Sequence, residues 1–205
     1  MKINVLVATE KHTVYADAIS TLISEASHAR GTGIANRSAA YIADKISSGH
    51  AVIALAGNDL AGFCYIETWG HQKYVANSGL VVAARYRKQG LARRIKEKAF
   101  KLSRQLYPQA KLFGITTSLP VMKINTALGY RPVTFAELTD DRQFWYGCRG
   151  CRNYDILKRN NFGMCLCTGM LFDPLDTTNG KLKQGWGKLK KMMNPINKKS
   201  KNEKQ

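Results

Sequence analysis

The segment that decides the fold spans residues 79–95 and has the sequence GLVVAARYRKQGLARRI. Residues 80–83 form a short, apolar and partly β-branched run, which predicts a buried strand. Beyond this run, apolar residues recur at the spacing of one face of a helix. They are Leu91, Ile95, Ala99, Leu102 and Leu106. The segment therefore predicts a strand that leads directly into a helix, with the change of structure between residues 87 and 92.

The turn between this strand and this helix has the features of a pyrophosphate site. A helix N-terminus presents free backbone N–H groups and a partial positive charge, and Gly90 has no side chain that would keep a phosphate away from them. Arg87, Lys88 and Arg93 add positive charge to the same turn. On this pattern alone, a basic loop before an amphipathic helix stays open as the alternative.

A second segment, residues 116–130, has the sequence TTSLPVMKINTALGY. It continues from a predicted strand at 112–117, and Pro120 and Gly129 mark the beginning and the end of a predicted helix. In this order and at this separation, the two segments resemble the GNAT acyl-CoA N-acyltransferases, and the resemblance extends from residue 3 to residue 172. The order of predicted elements also indicates an α+β fold, with helices on both faces of a mixed, mostly antiparallel central sheet.

The resemblance implies acetyl-CoA, or a related acyl-CoA, as the cofactor. In GNAT enzymes the first segment holds the CoA pyrophosphate and the second lies beside the pantetheine arm. The strand before the pyrophosphate turn lends backbone groups to that arm, and one of its N–H groups meets the thioester oxygen. The positions that the resemblance implies for cofactor binding are Leu80, Val81, Val82, Arg87, Lys88, Gln89, Gly90, Leu91, Ala92, Arg93 and Asn125.

The catalytic residues that are common in the family are missing here. Many members place a Glu on the strand where this chain has Asn77 and Ser78, and residues 121–125 lack the tyrosine that often serves as the acid. Glu67, at the end of the neighbouring predicted strand, is the nearest substitute for the base, acting directly or through a water molecule. A solvated carboxylate with no catalytic role is the alternative interpretation.

Three motifs are similar to the acetyltransferase domain of N-acetylglutamate synthases, namely RS at 37–38, LFGITT at 112–117 and GYRPV at 129–133. This similarity implies an amino-acid acceptor such as glutamate, whose carboxylates would be held by guanidinium groups. Arg30 and Arg37 are the candidates for that role. Ser118 is a further candidate for substrate binding, at a position where those synthases usually carry an arginine. Arginines that merely face solvent in a loop are the alternative.

Four of the five cysteines fall into two close pairs, with thirteen residues between the pairs. The pairs are Cys148 with Cys151 and Cys165 with Cys167. Residues 164–172 predict a last strand, on which the second pair would point to the same face. In a reducing compartment this pattern suits a structural zinc ion, while redox-active or free thiols and ordinary core packing are the alternatives.

The formal net charge is +18, and the segment from residue 181 onward contributes nine Lys and one Glu. We expect residues 1–175 to form the GNAT domain, with a Cys-rich insertion at 147–168, and residues 176–205 to form a basic, flexible tail. The remaining positive charge would attract an anionic cofactor. Nucleic acid is not the expected partner, because there is no recognition-helix signature and no alternation of aromatic and basic residues.

Neither a membrane-spanning run of roughly 18 apolar residues nor a signal-peptide pattern is present. The sequence therefore predicts a cytoplasmic enzyme with no membrane partner, and it leaves a homodimer open. The predicted function is transfer of an acetyl or similar short acyl group from acyl-CoA to a small amine, above all an amino acid such as glutamate, as in arginine biosynthesis. The alternatives are acetylation of another amine metabolite or a protein amino group, or a non-enzymatic, zinc-stabilised basic binding module.

Overall fold

The computed structural model of the protein describes residues 2–30 and 34–176. The strands in these ranges are β1 (Ile3–Val7), β2 (Ala51–Ala56), β3 (Asp59–Trp69), β4 (Tyr74–Val82), β5 (Lys111–Thr116), β6 (Arg131–Val133) and β7 (Thr168–Phe172). The helices are α1 (Ala16–Arg30), α2 (Ala39–Ser47), α3 (Leu91–Leu106), α4 (Leu119–Ala127), α5 (Arg142–Tyr146) and α6 (Tyr154–Arg159). None of the described helices is long and apolar enough to cross a membrane. The predicted tail at 176–205 lies outside the described residues, apart from its first position.

The strands form one sheet in the order β1-β2-β3-β4-β5-β7-β6. Neighbouring strands are antiparallel except for β4 and β5, which are parallel. Helix α3 packs on one face of the sheet through Leu91, Ile95 and Ala99, whereas α1 and α2 pack in a separate buried cluster that includes Ile19 and Ile42. Each fully buried Ile or Leu stabilises this arrangement by roughly 1.5–3 kcal/mol. The structure therefore confirms the predicted α+β fold, with helices on both faces of a mostly antiparallel sheet.

The parallel strands β4 and β5 separate to form a wedge. Their pairing covers only three residue pairs, from Tyr74 with Lys111 to Ala76 with Phe113. Since β4 continues to Val82 and β5 to Thr116, residues 77–82 and 114–116 have no pairing with each other. We call this opening the wedge, and its narrow end beside Ala76 the apex. Backbone groups that face such an opening need other hydrogen-bond partners, so a ligand can bind there.

A β-bulge lies in β4 within the wedge. Ser78 pairs with Tyr65 and Val81 pairs with Phe63, so two residues of β4 lie opposite one residue of β3. The first of these two residues, Gly79, has φ +65°, and a Cβ atom there would lie 2.6 Å from a ring carbon of Tyr65. Only glycine fits at this position without a shift of the ring. The bulge takes the backbone of residues 79–80 out of regular pairing and turns it toward the wedge.

The prediction for the last strand is wrong at its first four residues. Strand β7 begins at Thr168, which pairs with Thr116, the last residue of β5. Upstream of Thr168 neither β5 nor β6 supplies a partner strand, and Met164 and Leu166 are 60% and 59% exposed. Cys165 and Cys167 consequently lie in an irregular segment before β7 and not on a strand face.

Candidate active site

A cavity of about 470 Å³ occupies the wedge. Its walls include residues 77–80 of β4 and 114–116 of β5. Lys96 of α3 and Asn125 of α4 line it from one direction, which we call the α3 side. Ten further lining residues define what we call the α2 side. They are Arg37, Tyr41, Tyr65, Glu67, Trp69, Cys148, Cys151, Asn153, Cys165 and Cys167. The cavity therefore joins the two faces of the sheet through the gap between β4 and β5.

A buried hydrogen-bond chain fixes the apex of the wedge. The Tyr130 hydroxyl donates to Asn77 Oδ1 at 3.1 Å, and Asn77 Nδ2 donates to Ser103 Oγ at 2.9 Å. The Ser103 hydroxyl in turn donates to the carbonyl oxygen of Ala99 at 2.8 Å. Burial raises the pKa of Tyr130 well above its usual range, so its hydroxyl stays protonated as the donor. The amide of Asn77 is thus held by two partners and cannot turn toward a ligand without breaking them.

Asn125 presents an unused acceptor to the cavity. Its side chain is 1% exposed, and its Oδ1 atom has no hydrogen-bond partner among the described residues. A buried oxygen without a donor costs about 1–3 kcal/mol, which a bound ligand with an N–H group would offset. The α3 side is therefore complementary to an amide N–H.

Arg37 is half-buried at the other side of the cavity. Its Nε donates to the Tyr65 hydroxyl at 2.9 Å, and its Nη1 donates to the carbonyl oxygens of Asn36 at 3.0 Å and Gly147 at 3.4 Å. The guanidinium carbon also lies 5.4 Å from the centroid of the Tyr41 ring, within the range of a cation–π contact. These contacts hold the guanidinium plane in one orientation at the cavity wall.

Glu67 is held by two partners on the α2 side. The Tyr41 hydroxyl donates to its Oε2 at 2.7 Å, and Lys45 Nζ lies 2.8 Å from its Oε1. The side chains of Lys45 and Glu67 are only 17% and 18% exposed. Burial, followed by the neighbouring Tyr65 and Glu67, raises the pKa of Tyr41 well above its usual range, so Tyr41 remains a donor. The carboxylate is thus fixed in position, and its charge is balanced by Lys45.

Two N–H donors on the α2 side have no acceptor among the described residues. They are Trp69 Nε1 and Asn153 Nδ2, and both residues line the cavity. The positive charge of Arg37 adds to these donors, whereas the negative charge of Glu67 is already paired. This side of the cavity therefore suits a ligand that brings acceptor oxygens and negative charge.

The start of α3 is a helix N-terminus without a side-chain cap. Gly90 is the N-cap residue, has φ 71°, and makes no capping hydrogen bond. The backbone N–H of Arg94 is bonded to the carbonyl oxygen of Gly90 at 3.2 Å, so the N–H groups before it have no acceptor within the helix. Lys88 also has a positive φ, of 61°, which places two left-handed residues in the turn. The turn can bind an anionic group through main-chain amides.

A family comparison covers the region that contains these features. Residues 24–120 match the model described as the acetyltransferase (GNAT) family. That range includes the bulged strand β4, the turn at Gly90 and all of α3. The chain carries a GNAT acetyltransferase domain. This result confirms the family that the sequence predicts.

Solved structures share the fold of this GNAT domain at low sequence identity. N-acetylglutamate synthase from Neisseria gonorrhoeae, complexed with coenzyme A and N-acetyl-glutamate, is 17% identical with a TM-score of 0.62, and the match covers 84% of this chain and 35% of that chain. Rv2747 from Mycobacterium tuberculosis, in complex with CoA and NLQ, is 16% identical with a TM-score of 0.58, over 83% and 98% of the two chains. The acetyltransferase yncA from Salmonella typhimurium, with acetyl-CoA, is 12% identical with a TM-score of 0.58. The match covers 85% of this chain and 95% of that chain.

This chain thus spans about a third of the length of the N-acetylglutamate synthase that it matches. A search of curated protein sequences finds no match. At these identities the likeness to solved structures shows the fold of the GNAT domain, and the choice of acceptor depends on the chain's own residues.

The structure divides the residues predicted to bind the cofactor into three groups. Leu80 lines the cavity, and Asn125 does so with its unused oxygen. Val81 and Leu91 are buried in the core, so only their backbone groups can reach a ligand, and the other members lie along the wedge rim and the α3 turn. Several cationic and polar side chains of that turn already have partners. Arg87 Nε donates to the carbonyl oxygen of Val82, Gln89 Nε2 to that of Arg85, and Arg93 is paired with Glu97.

The residues predicted for the base and the acceptor are only partly brought together. Glu67 and Arg37 line the same side of the cavity. Ser118 is the N-cap residue of α4 and is not among the residues that line the cavity. Arg30 is the last residue of α1, and its side chain lies outside what the structure describes. The roles of all four remain predictions.

The four paired cysteines all line the α2 side of the cavity. The backbone N–H of Cys167 donates to Cys165 Sγ at 3.3 Å, and hydrogen bonding from Cys167 lowers the pKa of Cys165 to about 6. Within residues 2–30 and 34–176, however, no group of three or more His, Cys, Asp or Glu side chains is placed to hold a metal ion. The geometry therefore does not support the predicted zinc site, and the thiols of these residues are free.

Sequence reasoning missed several residues of the site, notably Tyr41, Trp69, Lys96 and Asn153. For Tyr41 the sequence gives only a weak indication of a role in the site, namely its position one helical turn before Lys45 on α2. For Lys96 the indication is stronger, because this charged residue lies beside the apolar face of α3, one turn before Phe100. Trp69 and Asn153 carry none, because their roles depend on where their segments meet in the fold.

Proposed function

We propose that this protein transfers an acetyl or similar short acyl group from acyl-CoA to the amino group of a small, carboxylate-bearing acceptor, and that the acceptor is an amino acid such as glutamate. The observation that carries the proposal is the α2 side of the cavity. A fixed guanidinium at Arg37 lies there with the unused N–H donors of Trp69 and Asn153. Carboxylate oxygens satisfy such donors, and a guanidinium binds a carboxylate through two hydrogen bonds.

The α3 side fits the CoA part of the donor. The uncapped turn at Gly90 offers main-chain amides and positive charge to the pyrophosphate. The unused oxygen of Asn125 offers an acceptor to an amide N–H of the pantetheine arm. The bulge at Gly79 turns backbone groups of β4 toward the place where the thioester oxygen would be bound. Holding donor and acceptor in one cavity removes much of the entropic barrier to their reaction.

We assign the base to Glu67. The residue lies on the same side of the cavity as Arg37, and its ion pair with Lys45 holds the carboxylate in place at the cavity wall. The acceptor amine, which is an ammonium in solution, gives up a proton to Glu67 directly or through water before its nitrogen attacks the thioester carbon. Tyr41 orients the carboxylate through its hydroxyl and does not itself accept the proton, because its pKa is raised by burial.

Two further observations bear on the choice of acceptor. The N-acetylglutamate synthase of Neisseria gonorrhoeae was solved with N-acetyl-glutamate, which agrees with an amino-acid acceptor for a related fold. A polyamine fits less well, because its positive charges would meet Arg37 without a free carboxylate nearby. Acetylation of another metabolite or of a protein amino group, and a zinc-stabilised binding module without activity, are the competing functions.

A thiol-release assay tests this function. Acetyl-CoA is offered with glutamate, other free amino acids, glutamate dimethyl ester, a polyamine and a lysine peptide. We expect turnover with glutamate or another free amino acid, and a loss of about 100-fold in kcat/KM when the carboxylates are esterified, because charged hydrogen bonds are worth about 1.5–3 kcal/mol each. Faster turnover of the peptide or the polyamine would overturn the choice of acceptor. Failure to bind CoA, together with salt-dependent binding of nucleic acid, would favour the non-enzymatic alternative.

A further inference from the structure

Lys96 is a buried cation for which neither the fold nor the proposed acceptor site accounts. It is 2% exposed, lies on the inner face of α3 and lines the cavity on the α3 side. No hydrogen bond or ion pair joins its ammonium to another residue within the ranges that the structure describes. A protein that buries a charge without an anionic partner loses stability, so an unpaired lysine at a cavity wall indicates a ligand or a reaction that needs the charge.

The groups around Lys96 are neutral at physiological pH. Its Nζ lies 5.3 Å from the centroid of the Tyr130 ring. Cys64 of β3 is the titratable group that interacts with it most, and burial raises the pKa of Cys64 to about 11. Tyr130 is likewise protonated, because burial raises its pKa. Burial lowers the pKa of Lys96 itself to about 8. Lys96 can therefore give up a proton more readily than an ordinary lysine.

The position of Lys96 matches the reactive end of the donor. The residue lies about 9 Å along the helix axis from Gly90, at 1.5 Å per residue. Its ring partner Tyr130 donates to Asn77, the first residue of β4 beyond the apex pairing. A linear arm whose diphosphate is held at Gly90, and which follows the wedge, brings its sulfur toward this apex. This step rests on the proposed function, because it takes the α3 turn as the pyrophosphate site.

We propose that Lys96 is a catalytic residue that stabilises and protonates the sulfur leaving group of CoA. As the C–N bond to the acceptor forms, the C–S bond breaks and its electron pair moves onto sulfur. The Lys96 ammonium faces this developing thiolate and transfers one proton to it, which yields the CoA thiol. The acceptor nitrogen loses two protons in all, the first before attack and the second after the C–N bond has formed, and Glu67 takes up each in turn and passes it to water. The neutral amine of Lys96 takes up one proton from water, so the reaction releases one proton overall.

Substitutions on α3 separate this role from a structural one. The K96M side chain fills a similar volume without the charge, and the K96R side chain keeps the charge but does not give up its proton. K98M is the control, because Lys98 is exposed on the same helix. We expect kcat of K96M to fall by about 100-fold with the KM for acetyl-CoA within about threefold of wild type. In the wild type kcat should decrease as the pH rises above about 8, where Lys96 loses its proton, and K96R should lack that decrease.

A second measurement does not depend on turnover, and its wild-type part does not depend on the folding of a variant. The pKa of the thiol of bound CoA is followed by the ultraviolet absorbance of the thiolate, in wild-type protein and in K96M. We expect the bound thiol to have a pKa below that of free CoA in wild type, and this lowering to be absent in K96M. An unshifted thiol pKa in wild type, or K96M with normal kcat, would overturn the role of Lys96. Neither result affects the proposed acyl transfer, which fails only if the wild type transfers no acyl group.

Discussion

The two sides of the cavity differ in the groups that form them, which are mostly main-chain groups on the α3 side and side chains on the α2 side. On the α3 side most of the proposed contacts come from main-chain groups of one continuous stretch, the bulged end of β4 and the uncapped start of α3 at Gly90, to which Lys96 and Asn125 add their side chains. The α2 side depends on side chains from distant parts of the sequence. Arg37, for example, contacts the hydroxyl of Tyr65, 28 residues away, and the carbonyl oxygen of Gly147, 110 residues away.

This difference indicates that the α3 side binds the cofactor, whereas the α2 side selects and deprotonates the acceptor. Main-chain amides bind a group that all substrates share, because any residue in the right conformation can supply them. Side chains determine which acceptor binds and how its proton is removed, because their charge and shape can vary while the backbone stays the same. We therefore expect changes on the α2 side to alter acceptor kinetics and leave cofactor affinity unchanged, and changes on the α3 turn to do the reverse.

The largest effect should come from E67Q. The amide keeps a hydrogen-bond acceptor for Tyr41 but can no longer take a proton from the amine, so we expect kcat to fall by about 100-fold or more. The KM for acetyl-CoA should stay unchanged in steady-state assays. The matched control is K45Q, which removes the ion pair and leaves the carboxylate in place. If K45Q loses as much activity as E67Q, the ion pair matters and Glu67 is not the base.

A smaller loss is expected from R37K. Lysine retains the charge but cannot form two parallel hydrogen bonds with a carboxylate, nor the bond from Nε to Tyr65. We expect kcat/KM for the amino-acid acceptor to fall by about 30-fold, mainly through KM, with the dissociation constant of CoA unchanged. An unchanged KM for the acceptor would remove Arg37 from the substrate site. A weaker affinity for CoA would show that the two sides are coupled.

The same difference explains how much the sequence could predict. The strand, turn and helix at 79–95 are local, so spacing and glycine placement indicate both the fold and the anion site. Glu67 and Arg37 were found through resemblance, whereas the hydrogen bond between Tyr41 and Glu67 joins residues 26 apart and leaves no pattern in the chain. The bulge at Gly79 also escaped prediction, because it depends on the Tyr65 ring of the neighbouring strand. The cysteine spacing suggested a strand and a zinc site, but strand pairing ends at Thr168 and leaves the second pair outside the sheet.

A matched pair of glycine substitutions tests the α3 side alone. Gly90 and Gly49 have φ +71° and +72°, and a Cβ atom at either position would meet nothing within 4 Å. G90A and G49A should therefore each lower the free energy of unfolding by about 1 kcal/mol, through backbone strain only. We expect G90A also to weaken CoA binding by about threefold to tenfold in titration calorimetry, because relaxation of the turn moves the amides that bind the pyrophosphate. Equal CoA affinities for the two variants would show that the turn does not bind the cofactor.

The smallest effect concerns the thiols on the α2 side. Hydrogen bonding from Cys167 lowers the pKa of Cys165, so this thiol ionises more readily than the other three and should react with iodoacetamide before them. Because Cys165 lines the α2 side, a saturating acceptor should slow its alkylation by about twofold to fivefold, whereas CoA without an acceptor should not. Mass spectrometry of the labelled peptides measures both rates, and C165S identifies the peptide. Protection by CoA alone would mean that the two sides are not separate. Complete resistance of all four thiols, with one zinc ion per chain after dialysis, would instead support the metal site that the described geometry does not provide.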